Sequence, residues 1–213
     1  MKDLAMRWLE GWSAATGHPW TDEDGIVRIE ALMASRRFEY LLVEPDDEEF
    51  TSITALIDGD SRDVFTVFTN NPEHYLVHHI GLVVDRDDEA LMTRTLESAE
   101  SPVPEGFELQ WDDQDDRVGL HLIQGAHLAA SGKLAVVGTD AVFDRIETMP
   151  RYQRRGLGSL VMQSLTSRAL ELGAEFGLLA ASADGQALYR TLGWRNRCAM
   201  LMFRGTEDVG PVT

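Results

Sequence analysis

A short glycine-containing segment directly before an amphipathic helix is the feature that most restricts the fold of this chain. The segment Arg151–Met162 reads RYQRRGLGSLVM and places Gln153, Gly156 and Gly158 in the pattern Gln-x-x-Gly-x-Gly. Apolar residues then recur at three- and four-residue steps up to Gly173, which suits a left-handed helix C-cap. These apolar positions are Leu157, Leu160, Val161, Leu165, Ala169 and Leu172. The pattern predicts a loop that enters a helix near Gly156.

The predicted loop has the chemistry of a phosphate site. The first N–H groups of a helix lack intrahelical partners and lie at the positive end of the helix dipole. Glycines at 156 and 158 would leave these groups accessible to an anion. Arg151, Arg154 and Arg155 add positive charge, and arginine can donate two hydrogen bonds to phosphate oxygens. We therefore expect a polyphosphate ligand, with an ordinary helix start in an α/β protein as the alternative.

Other glycine-rich catalytic loops do not match this segment. A Walker loop ends in Gly-Lys-Ser/Thr, whereas Gly158 is followed by Ser159 and Leu160. A dinucleotide-binding loop needs a third glycine where Val161 stands and an acidic residue about twenty positions later. The chain also has no Gly-x-Ser-x-Gly elbow of a serine hydrolase.

The segment from Asp140 to Trp194 instead resembles the GNAT superfamily of acyl-CoA N-acyltransferases. AVFDRIETMP is similar to the central strand of that family, QRRGLG to its pyrophosphate loop, FGLLAAS to its next strand and SADGQALYRTLGW to its second conserved helix. The resemblance implies an α/β fold with a GNAT-type mixed, mostly antiparallel sheet flanked by helices. It also implies acetyl-CoA as cosubstrate, no metal, and a primary amine of a small molecule, peptide or protein as acceptor.

The same resemblance implies roles for two catalytic residues. An amine that attacks a thioester must lose a proton, and the departing thiolate must gain one or a hydrogen bond. Glu147, on the strand before the loop, is the candidate for accepting the proton, although a glutamate beside Arg145 could instead face solvent or form an ion pair. Tyr189 lies in a Tyr-x-x-x-Gly-aromatic pattern and is the candidate acid, with a core tyrosine as the alternative.

Further residues are expected to bind the cofactor. Thr148 and Met149 should offer backbone groups to the pantetheine arm before Pro150 ends the strand. Ser182 stands where the family usually has an asparagine, and its hydroxyl could cap the following helix. The predicted loop contacts are Gln153, Arg154, Arg155, Gly156, Leu157, Gly158 and Ser159. A non-catalytic CoA-binding or regulatory module and an enzyme that uses a longer acyl chain remain as alternatives.

The formal net charge of −17 is concentrated in the first two thirds of the chain. Residues 1–143 contain 10 Lys/Arg against 29 Asp/Glu, whereas residues 144–213 contain 9 against 7. The acidic part should repel nucleic acid and acidic membranes, and it could attract a cationic amine or serve solubility alone. A single cysteine, an amphipathic opening helix that contains acidic residues and the absence of a long apolar run predict a cytoplasmic protein.

The N-terminal residues 1–100 are predicted to form a smaller, acidic α/β domain, joined by a linker at 98–105 to a GNAT domain at 101–213. The predicted elements are a helix that ends at Gly17, a hairpin over 27–33 and 38–43, a helix from Asp46 with Phe50, Ile53, Leu56 and Ile57 inward, and a strand over 64–69.

Part of this N-terminal region resembles the C-terminal half. Aligning Gly81 with Gly193 sets NNPEHYLVHHIGL beside SADGQALYRTLGW and Leu76 beside Leu188. One interpretation is a degenerate GNAT-like half over about 36–95. PDDEEF stands where QRRGLG should be, so this half is not expected to bind CoA. Chance similarity between two strand–helix–strand units is the alternative.

The C-terminal region departs from the GNAT pattern in its first half. Its predicted strands cover 107–111, 118–124, 127–131, 133–137 and 141–148, with no helices after the first strand. Those helices usually help to line the acceptor pocket, so the N-terminal region is expected to close it. His74, His78 and His79 cluster, but no Cys or carboxylate set completes a metal site. Homodimerisation follows from the family resemblance alone.

Overall fold

The computed structural model describes residues 1–23, 25–33, 35–57, 59–78, 81–98, 101–114 and 117–206. The strands are β1 (Trp20–Glu23), β2 (Ile26–Met33), β3 (Arg36–Val43), β4 (Val64–Thr69), β5 (Val83–Thr95), β6 (Glu108–Gln114), β7 (Arg117–Gln124), β8 (His127–Val137), β9 (Asp140–Thr148), β10 (Phe176–Ala181) and β11 (Arg195–Arg204). The helices are α1 (Lys2–Thr16), α2 (Asp47–Ile57), α3 (Pro72–His78), α4 (Leu157–Glu171) and α5 (Ala183–Thr191).

These strands form one sheet in the order β1-β2-β3-β4-β11-β5-β10-β9-β8-β7-β6. The pairs β3–β4 and β9–β10 are parallel, and the other neighbours are antiparallel. The predicted α/β class with a mixed, mostly antiparallel sheet is therefore confirmed. Strand β5 lies between β10 and β11, so residues from both predicted domains share the centre of the sheet. A domain boundary near residue 100 stays a prediction.

The strand order repeats on the two sides of the central β11–β5 pair. Outward from β11, each strand is in turn antiparallel, parallel, antiparallel and antiparallel to its inner neighbour, in the order β4, β3, β2 and β1. Outward from β5, the strands β10, β9, β8 and β7 follow the same sequence of directions. A helix joins each parallel pair, α2 on one side and α4 on the other. Gly81 and Gly193 have φ angles of +85° and +84° and precede β5 and β11. This topology is what a degenerate GNAT-like half would produce, and that interpretation stays a hypothesis.

Helices cover both faces of the sheet. Val142 belongs to a hydrophobic cluster that includes residues of α1, whereas its neighbour Phe143 belongs to a cluster that includes residues of α4 and α5. Because successive strand residues point to opposite faces, α1 and α4 lie on opposite sides of β9. Leu41 packs with α1, and Leu42 packs with α2 on the other face. None of the described helices has the length and apolar character needed to cross a membrane.

Helix α4 follows its predicted pattern closely. It begins after Gly156, and Gly173 has a φ of +90° just beyond its end. Of the predicted apolar positions, Leu172 is an exception because it lies past the last turn and is 44% exposed. Leu56 of α2 is likewise exposed, contrary to the prediction, because the buried face there is formed by Phe50, Ile53 and Ile57.

Two predicted strands are one strand in the structure. The segments 127–131 and 133–137 join through Gly132 into β8. A Cβ on Gly132 would lie 2.6 Å from Ile146 Cδ1 and 2.8 Å from Leu165 Cδ1. Glycine here permits close approach of α4 to the sheet, and it does not end the strand. Strand β1 was not predicted from the sequence.

Gly11 determines how closely α1 approaches the sheet. Its Cβ, if present, would lie 2.7 Å from Val142 Cβ. We expect Gly11→Ala to lower the free energy of unfolding by about 1–3 kcal/mol, since overpacking outweighs the roughly 1 kcal/mol gain in helix propensity. Urea unfolding would measure this, with Glu10→Ala on the exposed side of α1 as the control. A Gly11→Ala protein more stable than the wild type would contradict the close packing.

Candidate active site

The parallel strands β9 and β10 separate at their carboxyl ends. They pair from Asp140 to Val142 of β9 and then continue to Thr148 and Ala181 without pairing with each other. A bulge in β9 assists the separation, because Arg145 has a φ of +50° and the β8–β9 register shifts there. The gap opens into a cavity of about 1120 Å³. This volume can hold a large organic ligand.

The loop before α4 forms one wall of this cavity. Arg154 and Gly156 adopt left-handed φ angles of +60° and +77°, and no side chain caps the first turn of α4. A Cβ on Gly156 would meet no atom within 4 Å, whereas a Cβ on Gly158 would lie 3.3 Å from Leu188. The first N–H groups of α4 are therefore uncapped beside the cavity, which suits a pyrophosphate group. Leu157 and Ser159 also line the wall.

The three arginines near the loop have different surroundings. Arg154 lines the cavity. The guanidinium of Arg151 lies 4.9 Å from the ring centre of Tyr152, and that of Arg155 lies 5.2 Å from the ring centre of Phe107. Stacking on aromatic rings orients these two groups next to the loop. Arg154 is thus the arginine placed for contact with a ligand in the cavity.

The end of β9 uses several of its backbone groups within the protein. Gln153 donates through Nε2 to the Thr148 carbonyl at 3.2 Å, which ties the loop to the strand. The Met149 N–H donates to Ala129, and the Met149 carbonyl accepts from Tyr152. Thr148 lines the cavity. The Thr148 carbonyl, the Met149 N–H and the Met149 carbonyl thus already have hydrogen-bond partners within the protein. Contact of Thr148 and Met149 with a pantetheine arm stays a prediction.

Ser182 has the capping role that the sequence predicts. It is the N-cap of α5, and its hydroxyl accepts a hydrogen bond from the Gly185 N–H at 3.4 Å. The residue also lines the cavity, so one side chain contributes to both the helix and the site. Its contact with a cofactor stays a prediction.

Tyr189 on α5 is a largely buried residue of the cavity wall. Helix α5 holds its ring among core residues, with 7% of the residue exposed, and the residue lines the cavity. Burial and the nearby charge of Asp144 raise the pKa of the Tyr189 phenol to about 12. The phenol is therefore neutral and able to donate a hydrogen bond throughout the physiological pH range.

Two carboxylates of β9 border the same cavity. Glu147 is exposed, and no hydrogen bond or ion pair joins its side chain to the described part of the chain. Arg145, which is close to Glu147 in the sequence, instead lies with its Nε 3.5 Å from Asp144 Oδ2. The Asp144 side chain is 21% exposed, and its Oδ2 atom is buried without a hydrogen bond. Burial raises the pKa of Asp144, whereas the positive charges of Arg145 and Lys133 oppose that rise.

The N-terminal region and β11 form the other end of the cavity. The rings of Trp8 and Trp12 on α1 stack with centroids 5.6 Å apart and line this end. Two ion pairs, called the outer ion pairs below, also contribute to the lining. They are Arg36–Glu39 and Arg86–Glu89. The N-terminal region therefore closes the cavity where the sequence lacks the usual helices.

The matching strand pair in the N-terminal half remains closed. Strands β3 and β4 stay paired up to Val43 and Phe68, at the end of β3. The carboxylate of Glu44 then accepts hydrogen bonds from the Thr69 hydroxyl and the Asn70 N–H, each at 2.8 Å. A side chain of the protein thus holds the two strand ends together, and the described residues of β3 and β4 form no gap like that between β9 and β10.

The first turn of α2 is also blocked. Asp46 Oδ1 accepts hydrogen bonds from the N–H groups of Glu48 and Glu49, and Glu49 accepts one from the Asp46 N–H. This is a capping box, in which carboxylates occupy the position that an anionic ligand would need. It gives a physical basis for the expectation that PDDEEF does not bind CoA.

The described residues contain no group of three or more metal-ligating side chains. His74 instead lies 3.1 Å from Asp47, and the His78 ring nitrogen Nδ1 contacts the His74 carbonyl. His79 lies outside the described residues.

Sequence reasoning missed Asp144, the Trp8–Trp12 pair and the outer ion pairs as parts of the site. The alternation of β9 could have indicated Asp144, since it lies two residues after buried Val142 on a strand leading to the loop. The sequence indicates that the N-terminal region closes the cavity, but no sequence signal indicates which residues of α1, β3 and β5 line it.

Comparison with known proteins agrees with this geometry. The Acetyltransferase (GNAT) family model matches residues 88–194, which is half of the chain. A GCN5-related N-acetyltransferase from Kribbella flavida superposes with a TM-score of 0.68 at 14% identity, covering 99% of this chain and 96% of that chain. A GNAT-family protein from Novosphingobium aromaticivorans gives a TM-score of 0.60 at 16% identity, covering 94% and 96%.

A tandem GNAT protein from the clavulanic acid biosynthesis pathway gives a TM-score of 0.51 at 12% identity, covering 71% of this chain and 65% of that chain. At these sequence identities the similarity to the solved structures establishes the fold alone. Membership of a family rests on the family model. The chain belongs to the Acetyltransferase (GNAT) family.

Proposed function

We propose that the protein transfers an acetyl group from acetyl-CoA to a primary amine of a small molecule, peptide or protein. The observation that carries this proposal is the gap between β9 and β10, bordered by the uncapped start of α4 and by Tyr189. The gap suits the pantetheine arm, and the uncapped turn suits the pyrophosphate. A cytoplasmic location, a homodimer, and the absence of nucleic-acid, membrane and metal partners are further parts of the proposal.

In the proposed reaction the amine nitrogen forms a bond with the thioester carbonyl carbon, and the bond between that carbon and sulfur breaks. Glu147 accepts the proton that the amine loses, directly or through a water. Tyr189 donates a proton or a hydrogen bond to the departing sulfur, and its raised pKa of about 12 keeps it protonated for this role. No covalent intermediate with the protein is needed.

Incubating the protein with acetyl-CoA and a panel of primary amines tests this proposal through CoA release and the mass of acetylated product. Acetylation of at least one amine supports an enzyme. Tight acetyl-CoA binding without any acetylation would favour the alternative of a CoA-binding or regulatory module. Two features motivate that alternative. Ser182 stands where the family usually has an asparagine, and the C-terminal region begins with strands where the family usually has helices.

The role of Glu147 predicts a pH-dependent loss in Glu147→Gln. At pH 7 an alkylamine is protonated, so kcat/KM should fall about 10²- to 10⁴-fold without a proton acceptor. As the pH approaches the amine pKa of about 10, free amine accumulates and the loss should shrink. Profiles of kcat/KM from pH 7 to 10 would measure this, with Glu108→Gln on the edge strand β6 as control. A deficit that stays constant with pH would contradict the role.

A further inference from the structure

A second cavity lies on the face of the sheet that α1 covers. It has a volume of about 360 Å³ and, among the described residues, shares no lining residue with the cavity between β9 and β10. Leu178 in its lining belongs to the hydrophobic cluster that includes residues of α1. Thr93 of β5 lies directly opposite Leu178, so their side chains share that face, and the next pair on it is Thr95 and Phe176. The lining residues are Leu4, Arg7, Thr93, Arg94, Thr95, Phe176, Gly177, Leu178 and Arg197.

The floor of this second cavity is apolar. Leu178 is fully buried, whereas Phe176 is 41% exposed. Leu4 of α1 borders the floor and packs against the same hydrophobic cluster as Leu178. An exposed aromatic ring in a concave surface offers apolar contact to a ligand that enters from solvent. The volume lies within the range of about 300–1,000 Å³ that is usual for small-molecule sites. The second cavity can therefore hold a small organic group.

A positive charge at the wall of the second cavity has no carboxylate partner. Arg197 of β11 donates through Nε to the Thr93 hydroxyl at 2.6 Å, and no carboxylate of the described residues forms an ion pair with it. A hydroxyl acceptor is neutral, so the guanidinium keeps its full charge. The hydrogen bond holds Nε, and the two terminal nitrogens of Arg197 have no hydrogen-bond partner in the described part of the chain. These planar donors match the two oxygens of a carboxylate.

The other two arginines of the lining do not add a free charge to the second cavity. Arg7 donates through Nε and Nη2 to both carboxylate oxygens of Asp140, at 2.7 and 2.6 Å. Arg94 follows Thr93 on β5, so its side chain points to the opposite face. There its Nε would lie 3.6 Å from a Cβ on Gly193. Arg197 is thus the uncompensated cation beside the apolar floor, in a chain with a net charge of −17.

We infer that the second cavity binds a small organic monocarboxylate with an apolar tail. Its carboxylate accepts hydrogen bonds from the terminal nitrogens of Arg197, and its tail packs on Phe176 and Leu178. One free guanidinium matches one negative charge, whereas a phosphate dianion would need a second unpaired cation. A neutral alcohol would forgo the charge-assisted hydrogen bonds. The inference is independent of the proposed function, because it concerns a separate set of residues.

Matched acids and alcohols test this inference. Hexanoate and hexanol, and phenylacetate and 2-phenylethanol, would be titrated into the protein at pH 7, with acetate and inorganic phosphate as anions without an apolar tail. Ligand-observed NMR would give the dissociation constants. We expect at least one acid to bind about 10- to 100-fold more tightly than its alcohol, as hydrogen bonds to a charged group would give. The same acid should bind at least about tenfold more tightly than acetate, which has no tail to bury.

Three variants locate the binding. In Arg197→Gln the preference for an acid over its alcohol should fall to about threefold or less, because the charge is lost. Arg197→Lys should retain part of the preference, because it keeps the charge without the planar donors. Arg195→Gln changes another exposed arginine of β11, outside the second cavity, and should retain all of it. Since both arginines are exposed, we expect unchanged melting temperatures, which would show that the variants are folded.

Several results would overturn the inference. They are an absent preference for either acid in the wild type, tighter binding of phosphate than of both acids, and a preference retained in Arg197→Gln. A free acid and the C-terminus of a peptide present the same group, so N-acetylalanylleucine would be titrated beside hexanoate. Binding of either one through Arg197 would support the inference, and the tighter ligand would identify the source. Acetylation of amines is measured separately, so its failure would overturn the proposed function alone.

Discussion

Replacing Gly156 with glutamate should abolish measurable binding of acetyl-CoA. Gly156 lies at the uncapped start of α4, where a side chain would point into open space beside the cavity wall. A glutamate there would place a negative charge at the site proposed for the pyrophosphate, and its carboxylate could itself cap the exposed N–H groups. We expect the dissociation constant in calorimetric titration to rise at least about 100-fold, equivalent to roughly 2.7 kcal/mol.

Gly156→Gln is the control that separates charge from conformation. Gly156 has a φ of +77°, so any side chain there costs about 1–2 kcal/mol of backbone strain. Glutamine has nearly the same size and strain as glutamate without the charge, and it should weaken binding much less. Equal losses in the two variants would show that the loop conformation matters and that the charge does not. Unchanged binding in Gly156→Glu would remove this loop from the cofactor site.

The loop and α4 could be predicted because their determinants are local. Glycines, arginines and the apolar period of α4 all lie within one short segment, and the helix begins at the predicted glycine. The exposure of Leu172 and Leu56 shows the limit of that approach. The apolar period of α4 continues to Leu172, past the last turn of the helix, and that of α2 includes Leu56, beside its buried face. Burial depends instead on which elements pack against each face of a helix.

The sequence predicts that the N-terminal region closes the cavity, but the residues that do so could not be predicted, because they depend on the strand order. Trp12, Glu39 and Glu89 reach the cavity because β5 lies between β10 and β11 and α1 covers the opposite face from α4. Hydrophobic alternation indicates which residues form strands and leaves open which strands are neighbours. A pairing between residues about a hundred positions apart has no local signal.

In the N-terminal half, the same arrangement of strands and helices occurs with a strand pair that stays closed. In both halves a helix joins two parallel strands, but only the C-terminal pair separates among the described residues. Glu44 and Asp46 provide their own carboxylates at the strand end and the helix start. The sequence difference between PDDEEF and QRRGLG therefore has a direct structural meaning: protein carboxylates occupy the positions where the other loop leaves N–H groups free.

Tyr189→Phe should lower kcat about 10²-fold or more while acetyl-CoA binding remains unchanged. The substitution keeps the ring that packs against Trp194 and removes the hydroxyl that is proposed to protonate the departing sulfur. Tyr152→Phe is a matched control, because Tyr152 is also a buried tyrosine of the same core cluster. Steady-state kinetics and calorimetry on both variants would measure the effect. An unchanged kcat in Tyr189→Phe would assign the phenol to packing alone.

The pH dependence gives this prediction a second, independent readout. Because burial and Asp144 raise the Tyr189 pKa to about 12, the wild type should keep its kcat up to pH 10, with no loss from ionisation of the phenol. The thioester sulfur carries no titratable proton, so its need for a proton or a hydrogen bond as it departs does not change with the pH of the solution. The kcat deficit of Tyr189→Phe should therefore stay constant from pH 7 to pH 10. A deficit that shrinks as the pH rises would show that the phenol of the wild type ionises in this range, which would contradict its role as a donor with a raised pKa.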